Sequence, residues 1–230
     1  MNNFAIIGNS HLSQFDNPRM KTIYGYGASI LGLWNENSVL QLKKHILDYQ
    51  KNNKNDILVF FLGQTDIEFI YYFKSVKQNK KIDINEYIHD LVDKYISFIK
   101  TFITNKVVIL GINPHVIKDI QHTYNVNFTE KNPQNPNGDN SSDKYKFSDY
   151  LHIYNDSYET RCSYNMLFNK MLEEKCKHNN VNYITDNDII LDDNGNVKEK
   201  YFPKQVDHHL VKNIDLYNDL IEKLKTVQFP

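Results

Sequence analysis

The chain reads as an α/β protein: a doubly wound, three-layer α/β/α sandwich around a mainly parallel sheet of about five strands. Three observations predict this. Short apolar runs of strand length alternate with longer segments of helical period along the 230 residues. Several of these runs stop at a glycine followed by small polar residues, as at Gly8-Asn9-Ser10, Gly63-Gln64-Thr65 and Gly111-Ile112-Asn113. The strands carry little alternation, which marks strands buried on both faces and crossed by helices. Right-handed crossovers then give the doubly wound arrangement.

The elements follow in order. Residues 3–8 form a first strand, ended by Gly8, and Lys21 to Gly25 a short second one that enters Gly25-Tyr26-Gly27-Ala28-Ser29. A helix is predicted from Ser38 to Lys51, with Val39, Leu42, Ile46 and Tyr49 on one face. Asp56 to Leu62 is an apolar run of strand length, closed by Gly63, and a helix starts near Thr65 or Asp66 and runs through Phe69-Ile70-Tyr71-Tyr72-Phe73. A further helix spans Ile84 to Thr104, and Lys106 to Leu110 is a strand. Residues 118–156 have weak periodicity, with turn chemistry at Asn132-Pro133-Gln134-Asn135-Pro136-Asn137-Gly138, and read as a loop-rich insertion over the site. A helix from Tyr158 to His178, a strand from Val181 to Ile184 and a helix from Val211 to Lys225 close the chain. No repeat or linker divides it, so one domain is expected over residues 1–230.

Bulk composition removes several function classes. Lys+Arg 27 against Asp+Glu 28 gives a formal net charge of -1, and no global field to hold nucleic acid or an anionic membrane. No apolar run approaches the roughly 20 residues that span a bilayer. The amino terminus lacks the pattern of a signal peptide, so an intracellular protein is expected. The abundance of Asn, Lys, Ile and Tyr suits an AT-rich genome such as that of a large virus or a protist. The two cysteines, Cys162 and Cys176, share one predicted helix. They can neither pair nor make a structural zinc site alone. His208-His209 is half of a metal site with no companion ligands in sequence, so neither metal nor cofactor is expected.

Four segments fall at the carboxyl edge of the predicted sheet, where open α/β folds bind ligands. They are Gly8-Asn9-Ser10-His11, Gly25-Tyr26-Gly27-Ala28-Ser29, Gly63-Gln64-Thr65-Asp66 and Asp207-His208-His209-Leu210. Together they hold the group types that acyl transfer needs. A serine hydroxyl becomes a nucleophile when a histidine takes its proton, and a carboxylate fixes the histidine tautomer. The oxyanion needs fixed donors, which backbone N–H groups and one polar side chain supply. Gly27 permits close backbone approach, and residues 64 and 65 present a side-chain donor and an N–H at one point.

In these four blocks and their order the chain resembles the SGNH (GDSL-type) hydrolase superfamily, over residues 4–225. The resemblance implies a flavodoxin-like sandwich and an esterase. It implies Ser10 as nucleophile, Gly27 and Thr65 as oxyanion donors beside the Ser10 N–H, Asp207 as acid and His209 as base. Three positions depart from the family pattern. Asn9 stands where the family has aspartate. Thr65 replaces its asparagine, with Gln64 as an alternative donor. Asp207 and His209 are two apart rather than three, so His208 is an alternative base. The segment Phe60 to Glu68, with Tyr71-Tyr72 and Lys74, resembles a branch linked to polysaccharide decoration, which implies a carbohydrate O-acetyl or other small ester substrate. An acyltransferase using the same site, or a decayed glycan-binding scaffold, are the other functions this resemblance admits. Asp66 is either a helix cap or a substrate contact. Asn113 either lines the pocket or forms the turn before Pro114, and Arg161 either binds a sugar or carboxylate or sits in a surface ion pair.

Overall fold

The structure, a computed structural model, describes residues 3–15, 17, 20–129 and 145–229. The turn sequence at Asn132 to Gly138 lies outside the described residues. The described residues hold five strands: β1 (Phe4–Gly8), β2 (Thr22–Tyr24), β3 (Ile57–Phe61), β4 (Val107–Leu110) and β5 (Asn182–Ile184). They form one sheet in the order β2-β1-β3-β4-β5, with every neighbouring pair parallel. This is the flavodoxin-like order.

The helices are α1 (Ile30–Leu33), α2 (Leu42–Asn52), α3 (Tyr71–Lys77), α4 (Ile84–Phe102), α5 (Ile120–Phe128), α6 (Tyr158–His178), α7 (Asn187–Ile190) and α8 (Ile214–Thr226). Successive strand residues point to opposite faces, so each central strand feeds two cores. Ala5, Ile7, Leu58, Phe60 and Ile109 face Leu33, Ile46, Ile88, Leu91, Tyr95, Phe168 and Leu172 from α1, α2, α4 and α6. Ile6, Val59, Phe61, Val108 and Leu110 face Leu12, Phe15, Tyr201, Leu216 and Leu220. The first layer is thick and many-helixed, and the second is built mostly from α8 and the segments around it.

The chain leaves β1 toward one edge of the sheet and later returns to build β3, β4 and β5 on the other side. The order therefore reverses between β1 and β3, and the crevice at such a switch point is where this fold takes its ligand. The carboxyl ends of those two strands carry Ser10 and Thr65.

Three local expectations are corrected. The predicted helix from Ser38 begins only at Leu42, because residues 35–41 form successive turns (Ser38 N–H to Asn35 O, Gln41 N–H to Ser38 O). Gln41 adopts φ 45°, and Val39 is 85% exposed instead of lying on the apolar face. The helix after Thr65 opens as a π-helical turn at Asp66–Ile70 before α3. The insertion between β4 and α6 holds a regular helix, α5, packed on that π-helical turn and on α3. No helix among the described residues is long and apolar enough to cross a membrane.

Candidate active site

Ser10 opens a one-turn 3-10 helix, Ser10–Gln14, directly after β1. It is half-buried, and its hydroxyl is engaged by no other side chain or carbonyl of the described residues. Asn9 before it is buried and ties three blocks together. Its Oδ1 accepts from the His11 N–H at 3.0 Å, while its Nδ2 donates to Ala28 O at 3.3 Å and to Thr65 Oγ1 at 2.9 Å. The two departures at Asn9 and Thr65 thus touch each other. With Asn9 donating to it, the Thr65 oxygen keeps its own hydrogen to donate elsewhere.

Gly27 takes φ 70°, a left-handed turn position that L side chains rarely adopt. The N–H groups of Ser10 and Gly27 donate to no other group of the described residues. The loop bearing Gly27 is pinned to the Gly63 block by Asp66. That carboxylate, fully buried, accepts from Ile30 N–H at 2.8 Å and Leu31 N–H at 3.2 Å. It caps α1, a helix from another block, and joins Ser29, whose Oγ accepts from Gly32 N–H at 2.9 Å. Burial pushes Asp66 up to about 7 even against these donors.

On the other side stands Asp207-His208-His209. His209 Nδ1 lies 2.7 Å from Asp207 Oδ1, and Asp207 Oδ1 also accepts from the His209 N–H at 3.0 Å. Two residues apart, the acid and the imidazole meet because the segment is a turn and not a helix. Burial alone would raise Asp207, but these bonds from His209 bring its carboxyl below the ordinary range. His209 Nε2 is buried and has no hydrogen-bond partner among the described residues. His208 differs: its Nδ1 sits 3.7 Å from Asp207 Oδ1 and 3.5 Å from His122 Nε2. Burial, with His209 beside it, lowers His208 to about 4.

The two halves of the edge are docked through His11. Its ring centroid is 4.8 Å from that of His209, and its Nε2 is 3.1 Å from His208 O. Its Nδ1 lies 2.9 Å from Asn9 Oδ1, and both this oxygen and the His208 carbonyl are acceptors. Burial lowers His11 to about 3, so the ring is neutral at pH 7 and its single proton goes to one of these two oxygens. Asn213 N–H donates to Gln14 O at 3.0 Å and fixes the same loop further along.

Three expected ligand contacts, and one expected oxyanion donor, turn out to be engaged inside the protein. Gln64 is buried, with Nε2 donating to Glu68 Oε1 at 2.6 Å and Oε1 accepting from Asn113 N–H at 2.9 Å. Asn113 Nδ2 donates to Gln14 Oε1 at 2.5 Å, and Asn113 O accepts from Asn165 Nδ2 at 3.0 Å. Arg161 is 2% exposed and donates to Ile117 O, Lys118 O and His115 Nε2. Because Arg161 only donates, His115 is the neutral tautomer and its Nδ1–H goes to Glu68 Oε1 at 2.9 Å. Asp66, as described, faces a helix terminus. The Asp66 carboxylate and the Gln64 amide are thus taken up inside the protein, as are the Asn113 Nδ2 and the Arg161 NH groups.

Sequence reading missed the network of Glu68, His115, Asn165 and Arg161. Its one legible signal is the spacing of Gln64 and Glu68, four apart where a helix begins. Burial would raise Glu68, but the hydrogen bonds from His115 and the Asn165 amide act against it and pull it below the usual carboxylate value. His122 was also missed, because the weakly periodic insertion gave no helix.

A family model of GDSL-like lipases and acylhydrolases matches residues 1–207. The chain belongs to the GDSL-like lipase/acylhydrolase family, whose members hydrolyse ester bonds. Its fold is similar to that of a candidate acylhydrolase from Bacteroides fragilis, at a TM-score of 0.50 and 11% identity, covering 97% of this chain and 86% of that one. It is also similar to a GDSL-like lipase from Bacteroides thetaiotaomicron, at a TM-score of 0.48 and 11% identity, covering 97% of this chain and 87% of that one. No curated protein matches the chain by sequence.

Proposed function

We propose that the protein is a serine esterase in which Ser10 is the nucleophile, His209 the base and Asp207 the residue that orients it. The observation that carries this reading is the 2.7 Å Asp207–His209 pair with His209 Nε2 left unpartnered, on the same edge as the free Ser10 hydroxyl. Ser10 Oγ attacks the ester carbonyl and His209 takes its proton. Asp207 holds the Nδ1–H tautomer and stabilises the imidazolium. The N–H groups of Ser10 and Gly27, with the Thr65 hydroxyl, receive the oxyanion. The alcohol leaves with the proton from His209, and water, deprotonated by the same imidazole, releases the acid and restores Ser10.

A carbohydrate ester is the substrate we favour. A groove of about 420 Å³ starts at Gly27; Leu31, Val39, Leu40, Ile70 and Phe73 give it a mostly apolar wall, and Ser29, Asn35, Asn37, Ser38 and Lys74 set polar groups along it that suit sugar hydroxyls. Tyr26 stands exposed beside it. Transfer of the acyl group to a glycan hydroxyl would use the same acyl-enzyme, and product analysis with and without added glycan separates it from hydrolysis. The first test is p-nitrophenyl acetate turnover and fluorophosphonate labelling of wild type and Ser10→Ala. Both signals vanish in a folded Ser10→Ala protein if the reading holds; retained turnover or labelling overturns it.

A further inference from the structure

Among the described residues that line the groove at Gly27, only Lys74 carries an ionisable side chain. It stands in the first turn of α3, half-buried. Its ammonium makes no hydrogen bond and no ion pair among the described residues. Its neighbours in sequence differ. Lys77 Nζ donates to Tyr145 Oη at 2.9 Å, and Lys81, half-buried like Lys74, is paired with Asp156 Oδ1 at 2.5 Å. What Lys74 has instead is the Tyr87 ring, with Nζ 5.7 Å from its centroid. That contact attracts a cation but neutralises no charge. Asp66 feels the Lys74 charge, yet its two oxygens are taken by the Ile30 and Leu31 N–H groups, and burial leaves it only about half ionised at neutral pH. The groove thus holds one cation without an anion of its own, against a wall of Leu31, Leu40, Ile70 and Phe73. Such a wall keeps water away and strengthens the pull on a negative charge brought beside it.

We propose that Lys74 binds a carboxylate of the substrate, so that the preferred ester is carried by an acidic sugar, a uronic acid, and not by a neutral one. This rests on the esterase reading and gives its substrate a charge. Gly27 and Lys74 line the same groove, so a molecule that brings its ester carbonyl to the Gly27 N–H can meet the ammonium with another part of itself. One ammonium matches one negative charge, in a charge-assisted hydrogen bond stronger than any that a neutral hydroxyl makes. The remaining sugar hydroxyls have Ser29, Asn35, Asn37 and Ser38. The carboxylate is not a reacting group. Its contact with Lys74 therefore holds the bound ester and its transition state alike, and shows in KM more than in kcat.

The test measures acetate release from an O-acetylated oligouronate and from the same oligosaccharide with its carboxyls methyl-esterified. Wild type, Lys74→Met and Lys74→Arg are compared. Wild type should favour the acid form by at least about tenfold in kcat/KM, carried by KM. Lys74→Met should lose that ratio and Lys74→Arg keep most of it. The ratio is taken within each protein, so a poorly folded fraction does not alter it. Equal kcat/KM for the two forms in wild type, or a preference that survives in Lys74→Met, overturns the role of Lys74. Calorimetric binding of the de-acetylated oligouronate separates this proposal from the reading beneath it. Binding that depends on Lys74, in a chain that releases no acetate, upholds the carboxylate site and overturns the esterase reading instead.

Discussion

Gln64 and Thr65 are neighbours in one turn, yet they belong to two regions with opposite habits. Thr65 faces the outer region, with Asn9, Ser10, Gly27 and His209, where a hydroxyl, two N–H groups and one imidazole nitrogen have no partner among the described residues. Gln64 faces the inner region, where Glu68 Oε1 collects Gln64, His115 and Asn165 at 2.6–2.9 Å and Arg161 stands behind His115. The outer groups have capacity left for a reacting ester. The inner groups are tied to one another through Glu68 Oε1, with Glu68 Oε2, Asn165 Oδ1 and Arg161 Nε buried and unpartnered among the described residues, and their role is to hold the β3 and β4 loops and α6 in one arrangement. The contrast shows that residue type alone does not mark a functional group: Arg161 and Gln64 have the right chemistry and the wrong surroundings.

Four experiments break or sharpen this contrast. The largest effect belongs to the outer region: Ser10→Ala should lower ester turnover by about 10⁴-fold or more without moving the unfolding midpoint. Next is Glu68→Ala, which removes the acceptor shared by Gln64, His115 and Asn165 and leaves three buried donors unpaired. It should cost about 3–5 kcal/mol in urea unfolding, and a loss under 1 kcal/mol would deny the inner network its structural weight. Thr65→Val keeps shape and removes the hydroxyl. A fall of about 10²–10³ in kcat with folding intact is the expectation, whereas unchanged kcat would take Thr65 out of the oxyanion site.

The smallest effect is electrostatic. His11 and His208 are lowered from 6.5 to about 3 and about 4. The unfolded chain therefore takes up protons at these two positions first as pH falls below 6.5, and their contribution to stability drops by about 1.4 kcal/mol per pH unit for each histidine, until the folded rings protonate near pH 4 and 3. Buried Asp66 and Asp186, both raised, take up protons in the folded state over the same range and oppose that slope. NMR titration of the imidazoles measures the two rings apart from the carboxyls, and a ring that protonates near pH 6.5 in the folded protein would contradict its neutral, buried state.

The fold was largely legible. Apolar runs at β1, β3 and β4 are long and unbroken, and the helix predicted from Tyr158 to His178 coincides with α6 because Ser157 caps its start. At the site, the four blocks arrive at one edge because each follows a strand or closes the chain against it. What sequence could not show is where a side chain turns. Asp66 looks like the cap of its own helix, but it caps α1, 36 residues back in the chain. Arg161 lies on the buried stripe of α6, a position that an exposed-looking charge conceals. Val39 fits a helical face, but Asn35 to Gln41 prefer turns.

The outer strands of the sheet, β2 and β5, are each only three residues long, while β1 and β3 have five. An edge that short offers few free N–H and C=O groups to an incoming chain. The apolar strands most able to seed a cross-β stack are thus shielded on both flanks, which favours a protein that stays dispersed when crowded with its own copies.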